Sequence, residues 1–325
     1  MSTRTLCRSL SLTVMLLWAA ALPALADINN NRFVVFGDSL SDAGNYYYFY
    51  GQVSQQPFAP VPDAPYDLGG HHFSNGATWI EQLTRELDTP ASGRPALARP
   101  GVNTNYSVGR ARARPNAATF SDFDLATQVR LFLNDAHGAA PAKATYIIWI
   151  GANDLDDALG ALQADPTGAT SVGILNEALT AVAGNVQALW AAGARSFFVP
   201  NMPDLGLTPA LQMLGPTAVQ AGRQLSGAYN AGLAQVLQQL QALPNVRFTG
   251  LDVYRVFNAV AANPAGFGLN DVQTPCLSFF VAGNAICTDP GARLFWDAIH
   301  PTKAGHEIVE EAAERALRAK RRTAM

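Results

Sequence analysis

Charge is scarce in this chain: Asp, Glu, Lys and Arg make up 14% of its 325 residues, against about a quarter in an average soluble domain. With 49% of residues hydrophobic, there is apolar surface enough for a large core. Basic residues are outnumbered, 22 Lys and Arg against 25 Asp and Glu, so the basic face on which nucleic-acid binding generally rests is not expected. Cysteine is limited to Cys7, Cys276 and Cys287, and no CxxC or nearby histidine pair completes a zinc ligand set. After residue 26 no apolar run reaches the ~20 residues of a membrane-spanning helix. Internal repeats are also absent.

Residues 1–26 read as a secretory signal. Arg4 and Arg8 come first, then an apolar stretch through Leu16, Leu17, Trp18 and Ala19 to Leu22, then Ala24-Leu25-Ala26. Small residues at Ala24 and Ala26 suit cleavage before Asp27. An uncleaved anchor is the alternative, but the apolar stretch is too short for it. Cys7 precedes that stretch instead of standing at the cleavage site, which argues against a lipid-modified cysteine. Cleavage removes two arginines and takes the formal net charge from −3 to −5. It also leaves Cys276 and Cys287 in a compartment that permits disulfides, and a bridge between them is expected. Two unrelated buried thiols are the other reading. Such a bridge stabilises the fold by roughly 3 kcal/mol in the chain-entropy picture.

Strand-like apolar runs recur at Arg32 to Phe36, Asn105 to Val108, Thr145 to Ile150, Ser196 to Pro200 and Val246 to Leu251. Between them, Trp79, Ile80, Leu83 and Leu87 stand at helical spacing, as do Leu125, Val129, Phe132 and Leu133. Longer helices are expected over 171–192 and 214–242 and from Lys303 onward. The last carries Ile308, Val309, Ala312, Ala316 and Leu317 along one side, and Arg318, Lys320, Arg321 and Arg322 where positive charge suits a helix C-terminus. Strands alternating with helices imply a parallel sheet covered on both faces. The Pro- and Gly-rich stretches Gln52 to His72 and Ser92 to Gly101 read as insertions, because the strand series continues past them without a break in composition. Residues 27–325 are therefore expected to form one domain.

Chemistry concentrates near the two ends of that domain. Phe33-Val34-Val35-Phe36-Gly37-Asp38-Ser39 sends an apolar strand into a tight glycine turn bearing a serine, and ligands of open α/β sheets sit beyond the carboxyl ends of strands. A serine hydroxyl needs a histidine base and a third group to orient that base. Asp297-Ala298-Ile299-His300 supplies both, at a spacing that keeps the carboxylate beside the imidazole. The competing reading, Ser39 as a mere helix cap, loses force with that Asp-x-x-His downstream. His71, His72, His137 and His306 have no carboxylate so placed and read as structural or surface groups, with His72 a distant candidate for substrate contact.

Four blocks in order, Gly37-Asp38-Ser39-Leu40, Asn105-Tyr106-Ser107-Val108-Gly109, Gly151-Ala152-Asn153-Asp154 and Asp297-Ala298-Ile299-His300, make the chain resemble the GDSL family of the SGNH hydrolase superfamily over nearly all of its mature length. The resemblance implies a three-layer α/β/α sandwich around a flavodoxin-like, five-stranded parallel sheet. It also implies a serine ester hydrolase with an acyl-enzyme and no metal or organic cofactor. Ser39, Asp297 and His300 would form the triad. The oxyanion donors would be the backbone N–H of Ser39, the backbone N–H of Gly109 and the side-chain amide of Asn153. One departure stands out: Arg110 occupies a position where many relatives have a second glycine, which puts the local backbone path in question. Arg110 reaches either an anionic head group or solvent.

The extended first block, with His72-Phe73-Ser74-Asn75-Gly76-Ala77-Thr78-Trp79, looks like exported bacterial phospholipases and lysophospholipases, making lipid esters the leading substrate class. An acetyl esterase on polysaccharide, an acyltransferase and an inactive lipid- or glycan-binding module are the alternatives. Tyr46 in the run Tyr46-Tyr47-Tyr48-Phe49-Tyr50 is expected either to wall an acyl chain or sugar ring or to pack in the core. Phe279 and Phe280, inside the cysteine pair, are expected on a stapled flap beside the triad. A periplasmic or secreted protein with transient contact to a membrane or micelle surface, and no obligate protein partner, completes the expectation.

Overall fold

The computed structural model describes residues 32–59, 64–115 and 123–323; the expected signal segment lies outside them. Four five-residue strands, β1 (Phe33–Gly37), β2 (Thr145–Trp149), β3 (Ser196–Pro200) and β4 (Arg247–Leu251), form one parallel sheet in the order β1-β2-β3-β4. β1 is buried along its whole length, as expected of an apolar strand covered on both faces. The fifth expected strand is absent as a regular element. Asn105 to Val108 does run parallel to β1 at the sheet edge, through Tyr106 N–H to Val35 O at 2.7 Å and Val108 N–H to Gly37 O at 3.2 Å. The ladder is interrupted because the Gln128 side chain takes the Gly37 N–H at 2.9 Å, the donor that a regular parallel ladder would give to Tyr106 O. With this segment counted, the order is that of a flavodoxin-like sheet, whose strand order reverses between β1 and β2.

Helices cover both faces. Trp79–Glu86 packs against Lys303–Thr323 on one face, while Leu125–Asp135, Ala169–Ala191 and Pro216–Leu240 pack together on the other. Side-chain alternation along the strands explains the division. Tyr146 and Phe197 stand in register on one face, with Phe132 of the Leu125–Asp135 helix against Tyr146 at 5.7 Å. Trp149 and Phe198 point to the other face and meet Trp79. The Trp79 helix begins with a capping box, Thr78 N–H donating to Glu81 Oε2 at 2.9 Å, which satisfies N-terminal donors that no helical carbonyl can reach.

Two ten-residue helices did not emerge from the sequence. Ala152–Ala161 starts at Gly151, with φ 136° and no side-chain cap, and Val253–Ala262 is a short amphipathic helix after β4. Cys276 and Cys287 are bonded. The bridge closes a small second core of Phe58, Tyr66, Leu277, Ala285 and Trp296 beneath the Asp297 turn.

Candidate active site

All four sequence blocks converge at the carboxyl ends of β1 and β2, where the sheet reverses its order. The Ser39 turn is tight: Asp38 O accepts the N–H groups of both Ser41 and Asp42 at 3.0 Å. Gly37 is required just before it, because a Cβ there would stand 2.6 Å from Trp149 O of the adjacent strand. The first two blocks are stitched together by amides. Asn45 Nδ2 donates to Asn105 O and Ser107 O, both at 2.8 Å, and Asn105 Nδ2 donates to Ser41 O at 2.8 Å.

The structure brings Ser39, His300 and Asp297 together. Ser39 Oγ lies 2.9 Å from His300 Nε2, and His300 Nδ1 lies 2.8 Å from Asp297 Oδ2. Ser39 is 8% exposed and His300 6%, so the pair is recessed from bulk water. Asp297 is fully buried, which pushes its carboxyl up. The neighbouring His300 charge and the hydrogen bonds from His300 and Ile299 outweigh burial and hold it below the ordinary carboxylate value. Ionised Asp297 fixes the tautomer with the proton on Nδ1, leaving Nε2 to take the serine proton.

The expected oxyanion donors fare unequally. No acceptor among the described residues takes the Ser39 N–H. Asn153 Nδ2 spends one proton on Ala111 O at 2.9 Å, and a side-chain amide has a second to give. The Gly109 N–H, by contrast, is turned onto Asp42 Oδ2 at 2.8 Å. Asp42 also accepts the N–H groups of Gly44, Asn45 and Tyr46, and as a buried helix-capping carboxylate it draws the nearest backbone donor. What Gly109 does supply is space, since a Cβ there would stand 2.2 Å from the Phe73 ring. Arg110 has φ 65°. The backbone thus follows the left-handed path that a glycine would take, at a cost of about 1–2 kcal/mol for a residue with a side chain.

The block around Asn153 is braced by charge. Asp154 accepts Ala113 N–H at 2.8 Å, while Asp157 pairs with Arg112 at 2.6 Å and also with Arg114. These contacts tie the Arg110 turn to the helix that carries Asn153.

His72 is buried, 2.6 Å from Glu81 Oε2, with Nδ1 against Gly69 O. Burial lowers its proton affinity, but Glu81 more than offsets this and the net shift is upward. Tyr46 is buried and packs on Phe73 at 5.5 Å, and Phe73 stands 5.4 Å from the His300 ring. Phe279 turns inward onto the disulfide core while Phe280 is 73% exposed, so the two do not share a wall.

Sequence reading missed Tyr66, whose hydroxyl donates to Asp297 Oδ2 at 2.8 Å. Nothing in the surrounding Ala64-Pro65-Tyr66-Asp67 distinguishes that tyrosine. Among the described residues, no group of three or more His, Cys, Asp or Glu is arranged to hold a metal ion.

A family model described as GDSL-like Lipase/Acylhydrolase matches residues 33–313. The chain is similar to the phosphatidylcholine-sterol acyltransferase of Aeromonas hydrophila, 26% identical with 87% of this chain and 89% of the relative covered. It is also similar to GDSL esterase/lipase 5 of Arabidopsis thaliana, 26% identical with 85% and 80% covered. Among solved structures, the acetylxylan esterase of Geobacillus stearothermophilus is 15% identical with a TM-score of 0.45, covering 88% of this chain and 94% of that one.

Proposed function

The chain belongs to the GDSL-like lipase/acylhydrolase family, and from that premise we propose that it cleaves lipid esters through an acyl-enzyme on Ser39. As a GDSL-type enzyme it is a carboxylic ester hydrolase. The observation that carries the assignment of residues is the unbroken line Ser39 Oγ, His300 Nε2, His300 Nδ1, Asp297 Oδ2, with links of 2.9 and 2.8 Å.

Ser39 Oγ attacks the ester carbonyl as its proton passes to His300 Nε2. The oxyanion is received by the Ser39 N–H and the second Asn153 Nδ2–H, such preorganised donors being the largest electrostatic contribution in acyl transfer. His300 then protonates the leaving alcohol. Water, deprotonated by His300, releases the acid and restores Ser39.

The surface around the triad supports lipid as the substrate class. Tyr48 and Phe49 follow β1, Met213 and Leu214 follow β3, and Phe280 and Val281 lie beside the Asp297 turn; all six are exposed. The Met213 segment is tied to the catalytic turn by Ala210 N–H to Ala298 O at 2.9 Å, and the Phe280 segment by Leu277 N–H to Trp296 O at 2.8 Å. Exposed apolar side chains that act together form a contact surface, and we propose that these meet the face of a membrane or micelle. The name of the Aeromonas relative, which specifies phosphatidylcholine and a sterol, supports the same class. It also keeps acyl transfer to an alcohol as a second reading, differing only in the acceptor. We further propose that residues 1–26 direct export, placing the enzyme in the periplasm or outside the cell.

Release of fatty acid from lysophosphatidylcholine by the purified chain, beside a short-chain aryl ester, tests this reading. Hydrolysis of both is expected. Activity on the short ester alone would move the substrate to acetyl esters, and activity on neither would leave a binding module.

A further inference from the structure

Asp297 has more hydrogen-bond donors than a triad provides. Oδ1 accepts the N–H groups of Ile299 at 2.8 Å and His300 at 2.7 Å. Oδ2 accepts His300 Nδ1–H and the Tyr66 hydroxyl, each at 2.8 Å. Four donors fill the roughly four lone-pair positions of a carboxylate. Tyr66 and Asp297 are both wholly buried, so no water competes for these positions. The Tyr66 ring is held edge-on by Phe58 at 5.5 Å and Trp296 at 5.8 Å, and its backbone by Tyr66 N–H to His72 O at 2.9 Å. A phenol clamped on three sides and aimed at one carboxylate oxygen is a fixed part of the site.

We infer that Tyr66 is a positioning residue of the triad: it locks Asp297 Oδ2 in place and, by sharing that oxygen with His300, limits how strongly the carboxylate attracts the imidazole proton. The inference rests on the assignment of Ser39 and His300 as the reacting pair. Its physical content is a balance. A carboxylate that gives part of its charge to a second donor is a weaker acceptor from Nδ1–H, so the imidazolium formed during attack gives up its proton to the leaving alcohol more readily. Burial, reinforced by the charge of Asp297, pushes the phenol far above its ordinary value, so it remains a donor across the working pH range. The other ionisable groups near His300 are Asp38, on the Ser39 turn, and His306, on the Lys303–Thr323 helix. His72, paired with Glu81, lies beyond His306. None of these touches Asp297 Oδ2. Among the described residues, the Phe58 and Trp296 side adds no charge.

The test is Tyr66→Phe, which keeps the ring and removes only the donor, with Phe58→Leu as a packing control and Ser39→Ala as the check on the underlying assignment. Short-ester hydrolysis is followed across pH. For Tyr66→Phe, kcat should fall about tenfold with KM within about twofold, a fraction of what a buried hydrogen bond to a charged group is worth. The acid limb of kcat/KM should move to higher pH, because the unshared carboxylate stabilises the imidazolium more. Phe58→Leu should leave that limb in place. Site-specific 3-fluorotyrosine at position 66, a stronger donor that keeps the hydroxyl, should move the limb to lower pH; this arm decides the matter if the phenylalanine variant folds poorly. An unchanged limb in both position-66 variants, or an equal displacement in Phe58→Leu, would overturn the inference. Full activity in Ser39→Ala would instead overturn the assignment on which it stands.

Discussion

Asp38 and Asp297 are both fully buried, and each stands in a turn carrying one of the reacting side chains, yet their carboxyls shift in opposite directions. Burial dominates at Asp38 and pushes it up to about 7. One oxygen accepts Leu40 N–H at 3.0 Å, and the other has no hydrogen-bond partner among the described residues. Burial is also the largest single influence on Asp297, but there the imidazole and backbone donors, with the opposing His300 charge, bring the net value down. The directly paired imidazole, more than the number of backbone donors, therefore decides the sign: Asp42, with four backbone N–H donors and no such partner, is also pushed up by burial, to about 6, as expected when a nearby opposite charge competes with desolvation. The division also suits the chemistry. Negative charge is kept behind His300, where it stabilises the imidazolium, and is diminished beside Ser39, where an oxyanion has to form.

The most severe way to break this contrast is Asp297→Asn. An amide in place of the carboxylate can donate to Nδ1 and hold the wrong tautomer. A fall of about 10⁴ in kcat on a short aryl ester is expected with the fold intact, and a loss under tenfold would mean that Asp297 does not set the tautomer. Asp38→Asn should do the reverse, changing kcat by less than about tenfold while altering stability. Its carboxyl has a folded value above its unfolded one, so the folded state binds the extra proton. Stability should fall as pH rises from about 4 to 7, by roughly 1.4 kcal/mol per pH unit. Denaturant unfolding at pH 5 and pH 7 should show a fall in stability that is smaller in the variant by this single-proton share, since Asp42 and Glu310, pushed up to about 6 and about 7, titrate in both chains.

A smaller effect sharpens the contrast from the opposite sign of charge. His306 is fully buried, its Nδ1 has no partner among the described residues, and burial, with the charges of His300 and His72, lowers it to about 3. A base depressed on folding costs stability as pH falls below its unfolded value near 6.5, by at most roughly 1.4 kcal/mol per pH unit for one proton. His306→Gln should flatten the acid side of the stability profile between pH 6.5 and 4.5 in the same unfolding measurement. An unchanged slope would show that His306 is hydrated in solution.

The regular parts of the fold were legible because local and global signals agree there. Ser196–Pro200 is the strand that its run of apolar residues predicts, and the Ser39 turn and the Asp297 turn follow from short motifs. Legibility failed where a distant side chain decides. The Asn105 segment lost its strand to the Gln128 amide, which takes the Gly37 N–H 91 positions away. The Gly109 N–H went to Asp42, 67 positions earlier in the chain, and Tyr66 reaches a carboxylate 231 positions away. Ala152–Ala161 was hidden because its first residues read as a turn; the start of the helix is set instead by Gly151, whose Cβ would stand 2.6 Å from Tyr229. Arg110 shows the converse, a residue with a side chain holding the glycine-like conformation because the contacts of its neighbours prescribe it.

The central claim is that one serine does the chemistry, and covalent labelling tests it most directly. The purified chain is treated with a long-chain fluorophosphonate, the modified peptide is mapped by mass spectrometry, and residual ester hydrolysis is followed in parallel. A single adduct on Ser39, forming as activity disappears and absent from Ser39→Ala, is the predicted result. An adduct on another residue, or ester hydrolysis at full rate in Ser39→Ala, would contradict the account.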